Sequence, residues 1–274
     1  MGRNSFFDDL YNPLYEPLPD SAPYLERIGM GPVIKADRAT LDALVYAHQT
    51  NVPFENLDVY DRDADISLNI PALYEKIALN RRGGYCFELN AAFMALLRSV
   101  GYECYAVASR VLLNIDRMMP ISHRGTLVTI DGVRYFCDVG FGGPSPQTAL
   151  MIDEEGKQQS GPNVFFVTRD ERGTIINRMH NGVKETTLAF TETPCDPIDF
   201  IALNFYQSHS KTSMFKTMRV CNLLTKTGAI TMSNNVLKVH DGGDVMEKTL
   251  ETEDEIRSAL KEYYKVDVDF PLKV

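Results

Sequence analysis

No apolar run in the 274 residues is long enough to cross a bilayer, which excludes an integral helical membrane protein. The opening residues, Met1-Gly2-Arg3-Asn4-Ser5-Phe6-Phe7-Asp8-Asp9, lack the apolar centre of a secretion signal, and Phe6 stands where a myristoylation site needs Ser or Thr. A cytoplasmic protein is the expectation. Cysteine is sparse: Cys86, Cys104, Cys137, Cys195 and Cys221 form an odd, scattered set without a C-x-x-C pair, which suits neither a disulfide framework nor a structural metal site. Free thiols in a reducing compartment, with no metal, are the simpler account. Basic charge is also short, with 28 Lys and Arg against 37 Asp and Glu, so a net charge of -9 argues against nucleic acid or an anionic membrane as partner. Internal repeats and low-complexity tracts are missing as well.

What is present begins with size: 274 residues, 44% of them hydrophobic, can bury a full core divided into two or three subdomains. The most informative stretch is Arg81-Arg82-Gly83-Gly84-Tyr85-Cys86-Phe87-Glu88-Leu89-Asn90. From Leu89 the apolar residues Ala92, Phe93, Leu96, Leu97 and Val100 continue an i, i+3, i+4, i+7 stripe, and Gly101 ends it. Cys86 thus stands at the start of a helix buried along one face. Gly83 and Gly84 let the chain turn sharply before it. The unpaired amides of a helix N-terminus, with Arg82 as a nearby positive charge, favour thiolate over thiol, although a lone cysteine is equally well a small buried hydrophobe.

Residues 1–35, rich in Tyr, Pro and Asp, read as an irregular lead-in with one short helix near 24–28. Thr40 is the expected N-cap of a helix carrying Leu41, Leu44, Val45 and His48, and Pro71 opens another with Leu73, Tyr74 and Ile77 that Gly83 stops. Together these give a helical bundle over 1–101. Short runs at 104–113, 126–130, 133–139, 163–168 and 174–179 favour strands, so a sheet or barrel follows over 102–200. Residues 189–213 read as a connection with one helical turn around 200–206. Two or three strands between 215 and 240 and a helix from Thr252, with Glu255 completing a capping box, make up 201–274.

Asp131-Gly132 is a two-residue hairpin signal. If Ile130 faces Val133, counting back along both strands puts Asp138 opposite Gly125. His123 then shares a sheet face with Asp138 as its diagonal neighbour. Singly, His123 reads as a surface or capping histidine and Asp138 as a turn residue. Together they offer Cys86 a base and a carboxylate to orient it, the arrangement a thiol nucleophile needs. His48, His180 and His240 lack such a carboxylate by spacing, and His209 lies in a Ser/Thr patch that could meet a polar ligand. The glycines of Val139-Gly140-Phe141-Gly142-Gly143-Pro144 permit close backbone approach by a ligand, but the stretch lacks the Gly-Lys-Ser/Thr ending of a phosphate-binding loop.

With these residues in view, the chain resembles the arylamine N-acetyltransferases. Arg82 to Asn90 is similar to their nucleophile motif, Pro53-Phe54-Glu55-Asn56-Leu57 to their upstream motif, and His123 with Asp138-Val139-Gly140-Phe141-Gly142 to the rest of the triad. Asn204 to Phe215 resembles their later Asn-x-Tyr and Thr-Ser-x-Phe segment. The resemblance implies an α+β fold with an N-terminal helical bundle, a central antiparallel β-barrel and a C-terminal α/β lid, on a cysteine-protease-like core. It implies acetyl-CoA as donor, arylamines or hydrazines as acceptors, and Cys86, His123 and Asp138 as the catalytic triad. It further implies Phe54, Val111 and Phe141 at the acceptor, Thr212, Ser213 and Gly142 near the coenzyme, and Glu55 and Arg82 as loop supports. Met119-Pro120-Ile121-Ser122 departs from the Thr-Gly pair some members place beside the cofactor. A thiol amidase or peptidase using the same triad, and a non-catalytic binding protein on this fold, are the alternatives.

Overall fold

The computed structural model describes residues 5–33, 35–113, 115 and 117–274. Its centre is the helix Cys86–Ser99, whose residues Cys86 to Leu97 are all buried, polar ones included. The expected single apolar face is therefore corrected. The helix is enclosed because it packs on the strands Glu103–Val111 and His123–Ile130 and also on the helices Ile70–Tyr74 and Ser21–Arg27. Its first turn is held by Glu88, whose carboxylate accepts the Tyr85 N–H at 3.1 Å.

The lead-in is more ordered than its composition suggests. Helices Ser5–Tyr11 and Ser21–Arg27 occupy it, the second capped by Asp20, which accepts the Ala22 N–H at 2.9 Å. Tyr24, fully buried, shares a 2.9 Å hydrogen bond with His48. The next helix, Arg38–Asn51, is capped by Asp37 rather than Thr40. Asp37 accepts the Thr40 N–H at 2.9 Å, and a carboxylate serves that position as well as a hydroxyl. The Pro71 helix stops at Leu79, four residues before Gly83.

Eight antiparallel strands follow, in the order Leu150–Met151, Val133–Cys137, His123–Ile130, Glu103–Val111, Val183–Phe190, Gly173–His180, Asn163–Asp170 and Gly156–Ser160. The sheet curls until its edges meet, and side chains do the closing: Gln158 accepts the Met151 N–H at 2.9 Å and donates to the Met151 carbonyl at 2.6 Å. Phe136, Phe165, Val167, Ile176, Leu188 and Phe190 fill the interior. Asp131 and Gly132 both have positive φ, 51° and 80°, as a two-residue hairpin with the right twist requires, and Ile130 pairs with Val133 as the sequence implies. Val183–Phe190, part of which was assigned to a connection, is a full strand. Its polar first half, Val-Lys-Glu-Thr-Thr, hides it, although Asn181-Gly182 before it is itself a hairpin turn.

The last layer is a five-stranded antiparallel sheet in the order Phe54–Glu55, Val220–Leu224, Gly228–Ser233, Val236–Asp241 and Asp244–Thr249. The strand Phe54–Glu55, from the helical part of the chain, supplies its inner edge. Glu253–Ala259 and Leu260–Tyr264 cover it, burying Leu237, Leu250, Ile256 and Tyr264. Thr252 accepts the Glu255 N–H at 3.2 Å, while Glu255 reaches the Glu251 N–H at 2.7 Å, one residue before the cap. The connection at 189–213 contains a real helix, Phe200–His209, longer than one turn. Among the described residues no helix is long and apolar enough to cross a membrane.

Candidate active site

Three elements converge on Cys86. The first is its own helix, in which it is the opening residue. Gly83 and Gly84 precede it for a reason of space, since a Cβ on Gly83 would lie 2.0 Å from the Pro53 carbonyl oxygen. Gly84 instead bridges Phe54 as a parallel partner, and its carbonyl accepts the Glu55 N–H at 2.9 Å. The second is the strand His123–Ile130 and the third the segment after Val133–Cys137, which carry His123 and Asp138. Thr126 pairs with Cys137, one step short of Gly125 and Asp138, so the diagonal relation expected from the hairpin count is the one observed.

His123 Nε2 lies 2.7 Å from Asp138 Oδ2, and the Cys86 sulfur lies 3.9 Å from the carbonyl oxygen of Ser122, the residue before His123. Asp138 is fixed from its other side, where Oδ1 accepts from Asn90 Nδ2 at 2.9 Å and from the Gly140 N–H at 2.9 Å. Burial alone would push the His123 pKa down. The Asp138 charge and hydrogen bond, with a smaller contribution from Cys86, outweigh it and carry the value up to about 10. The imidazolium is thus the resting form at neutral pH. Cys86, His123 and Asp138 are each only 2 or 3% exposed, so these charges act with little screening by water. Gly140 closes the arrangement: a Cβ there would stand 2.9 Å from Cys86 Cα.

Arg82 does not act on Cys86 as a free charge. Its Nε bonds Glu55 at 2.9 Å and its Nη2 lies 3.2 Å from Asp58, while Lys76 reaches Asp58 at 2.6 Å and Glu88 at 2.7 Å. The five side chains form a buried cluster under the helix start. Arg82→Met should cost about 3–5 kcal/mol of stability in urea unfolding, because Glu55 and Asp58 lose a buried counter-charge. A loss under about 1 kcal/mol would show that the cluster does not hold this loop.

Comparison with known proteins sets these residues in context. The N-acetyltransferase family model matches residues 37–273. The chain belongs to that family. The arylamine N-acetyltransferase / N-hydroxyarylamine O-acetyltransferase of Salmonella typhimurium is 31% identical over 222 residues, 80% of this chain and 79% of that one. Solved structures with similar folds include an arylamine N-acetyltransferase from Salmonella typhimurium, with TM-score 0.87, 26% identity and 93% of each chain covered. Another is the Mycobacterium marinum arylamine N-acetyltransferase in complex with CoA, with TM-score 0.84, 26% identity, and 90% of this chain and 93% of that one covered.

Within this N-acetyltransferase a cavity of about 730 Å³ lies between the barrel and the five-stranded sheet. It abuts the triad at Phe54, Val139, Phe141 and Gly142, and the Phe141 ring stands perpendicular to His123 at 5.7 Å. Of the other residues singled out from the sequence, Val111 packs on the barrel interior and does not line this cavity. Thr212 is exposed beyond the cavity, sharing a 2.9 Å hydrogen bond with Tyr206. Ser213 is buried, with its hydroxyl donating to the Gln207 carbonyl at 2.6 Å and capping the turn Met214–Thr217. His209 is spoken for by Asp65 at 2.9 Å and by stacking on Phe205.

Two site residues were not recognised in the sequence. Asn90 binds Asp138 and the Arg124 carbonyl and accepts the Val139 N–H at 3.0 Å. Gln49 donates to the carbonyls of Asp138 and Pro146, both at 2.9 Å, and so holds the loop after the aspartate. Both are amides inside apolar helix faces, Asn90 one turn beyond Cys86, and that mismatch was the available signal.

Proposed function

We propose that the protein transfers an acetyl group from acetyl-CoA to the nitrogen of arylamines and arylhydrazines through an acetyl-cysteine on Cys86. The observation that carries the reading is the convergence of Cys86, at the start of its helix, with a His123 that is hydrogen-bonded to a doubly anchored Asp138, in a member of the N-acetyltransferase family. Residues 1–101 supply the nucleophile, 102–200 the base and its carboxylate, and 201–274 the lid.

The Cys86 thiolate attacks the thioester carbonyl. A new S–C bond forms, the bond to the coenzyme sulfur breaks, and the departing thiolate takes the imidazolium proton of His123. One thioester replaces another, so little free energy is spent. An amine nitrogen then attacks acetyl-Cys86, His123 accepts its proton, and the Cys86 thiolate leaves. Aromatic amines suit this step because they are unprotonated at neutral pH, whereas an alkyl amine with a pKa near ~10 is mostly charged. Phe54 and Phe141 offer the acceptor ring apolar and edge contacts at the cavity wall, with Val111 behind them on the barrel interior. For the coenzyme, Gly142 at the wall and the exposed Thr212 hydroxyl are the contacts proposed, with Ser213 holding Thr212 in place. The five free thiols and the acidic surface fit a cytoplasmic enzyme without nucleic-acid or membrane partners.

Mixing the protein with acetyl-CoA alone tests the first half-reaction. A burst of about one equivalent of coenzyme A with one acetyl group on Cys86 is expected. A reduced protein that gives neither burst nor adduct would exclude the acyl-enzyme, and peptide cleavage without coenzyme would transfer the triad to a hydrolase.

A further inference from the structure

The outermost strand of the five-stranded sheet, Asp244–Thr249, pairs on one side only. Every residue in it is exposed, Val245 at 56% and Met246 at 41% included. The other sheet edges among the described residues are occupied: Gln158 links the two ends of the barrel, and Phe54 at the inner edge bridges Gly84. An open edge is a template for another strand, and proteins blunt it with repelling charge, proline or a bulge. This strand has neither proline nor bulge, and its charges are placed for pairing rather than against it.

Hairpin geometry says which of its backbone groups are free. Gly242 and Gly243 form a two-residue turn with φ of 56° and 107°, so Asp241 and Asp244 close the ladder as a hydrogen-bonded pair, and such pairs alternate from there. The alternation reaches Leu250, whose N–H donates to the Asn235 carbonyl at 2.8 Å. Asp244, Met246 and Lys248 therefore bond inward to Val236–Asp241. The N–H and C=O of Val245, Glu247 and Thr249 point outward.

An antiparallel partner has to match those outward groups, which leaves few registers for a second copy of the same strand. Centred on Glu247, the pairing sets Glu247 against Glu247; centred on Lys248, it sets Lys248 against Lys248, and like charges directly opposite destabilise a sheet. Centred on Met246, it lets Val245 exchange backbone hydrogen bonds with Glu247 of the second copy, while Asp244 stands opposite Lys248 on both sides of the two-fold axis. Asp244 makes no ion pair among the described residues, and Lys248 has an exposed partner in Glu255 at 3.3 Å. Both charges are available.

We propose that Asp244–Thr249 is a self-association edge, through which two copies of the chain pair antiparallel about Met246 and join their five-stranded sheets into one. The occupant is a second copy because the strand's charges complement themselves in that register alone. One strand pair buries less than the about 1,200 Å² at which stable interfaces begin, so the dimer is weak, with a Kd on the order of 10–100 µM.

Sedimentation velocity from about 5 to 500 µM protein should show monomer passing reversibly to dimer. Val245→Pro removes an outward N–H and spares the inner ladder, so that variant should stay monomeric throughout, with an unchanged circular dichroism spectrum. Lys248→Asp sets carboxylates opposite each other and should weaken the dimer about tenfold, and adding Asp244→Lys should restore it. In the concentrated wild type, amide exchange should slow at Val245 and Glu247, whereas Met246 and Lys248, already bonded inward, should change less. A wild type that is monomeric at the highest concentration overturns the proposal. So does a dimer that survives Val245→Pro or is indifferent to both charge changes, because it uses another face. Should Val245→Pro fail to fold, the loss and recovery across the charge exchange decides the matter.

Discussion

Replacing Cys86 by alanine is expected to abolish acetyl transfer, lowering kcat by at least about four orders of magnitude and removing both the coenzyme burst and the acetyl adduct. The size follows from the mechanism. Without a sulfur at the helix start there is no covalent intermediate. The fold should survive, since the change removes one small atom from a buried position, at a cost of about 1 kcal/mol. Circular dichroism and thermal midpoints close to wild type would establish that the loss is chemical. Residual turnover near the wild-type rate would rule out Cys86 as the acyl carrier.

Asp138→Asn should reduce kcat by about 10³- to 10⁴-fold with little change of shape. The amide keeps an oxygen for Asn90 and the Gly140 N–H, but it turns an NH2 group toward His123 Nε2 and favours the wrong tautomer. The charge that offsets burial at His123 is lost with it, so the His123 pKa falls from about 10. Alkylation of Cys86 by iodoacetamide should then be slower than in the wild type, because the neutral imidazole offers the sulfur no counter-charge. Stability carries the same signature. His123 holds its proton more tightly folded than unfolded, so its contribution is fully present below about pH 6.5 and is lost as pH rises through about 10. The stability gap between wild type and variant should be widest near pH ~6 and narrow above pH ~10. An unchanged alkylation profile would remove Asp138 from the role assigned to it.

The hairpin shows how far local rules reach. Asp131-Gly132 dictates both the turn and the register, and period two along the strands then brings His123 and Asp138 to one face. No long-range information was needed. The Cys86 helix was equally legible in its start and period, but not in its enclosure, because burial on a second face depends on what packs there. Arg82 misled for a related reason: proximity in sequence suggested a charge for the thiol, while Glu55 and Asp58, brought from elsewhere in the chain, take it up.

The edge strand Gly156–Ser160 and the first half of Val183–Phe190 are strands only by virtue of their neighbours. Their polar side chains carry little intrinsic preference, and ladder hydrogen bonds with the adjacent strands decide the matter. Barrel closure by Gln158 and the anchoring of Asp138 by Asn90 and Gln49 belong to the same class, since each joins groups whose separation no periodicity encodes. By itself, then, the sequence determined the α+β class, the family and the alignment of a base with its carboxylate. These rest on turn chemistry, hydrophobic period and motif, all local along the chain. Only the tertiary structure decided which charges are neutralised, which amides hold the triad, and which side chains share a cavity wall. Those depend on distances between segments far apart in sequence, set when the layers pack.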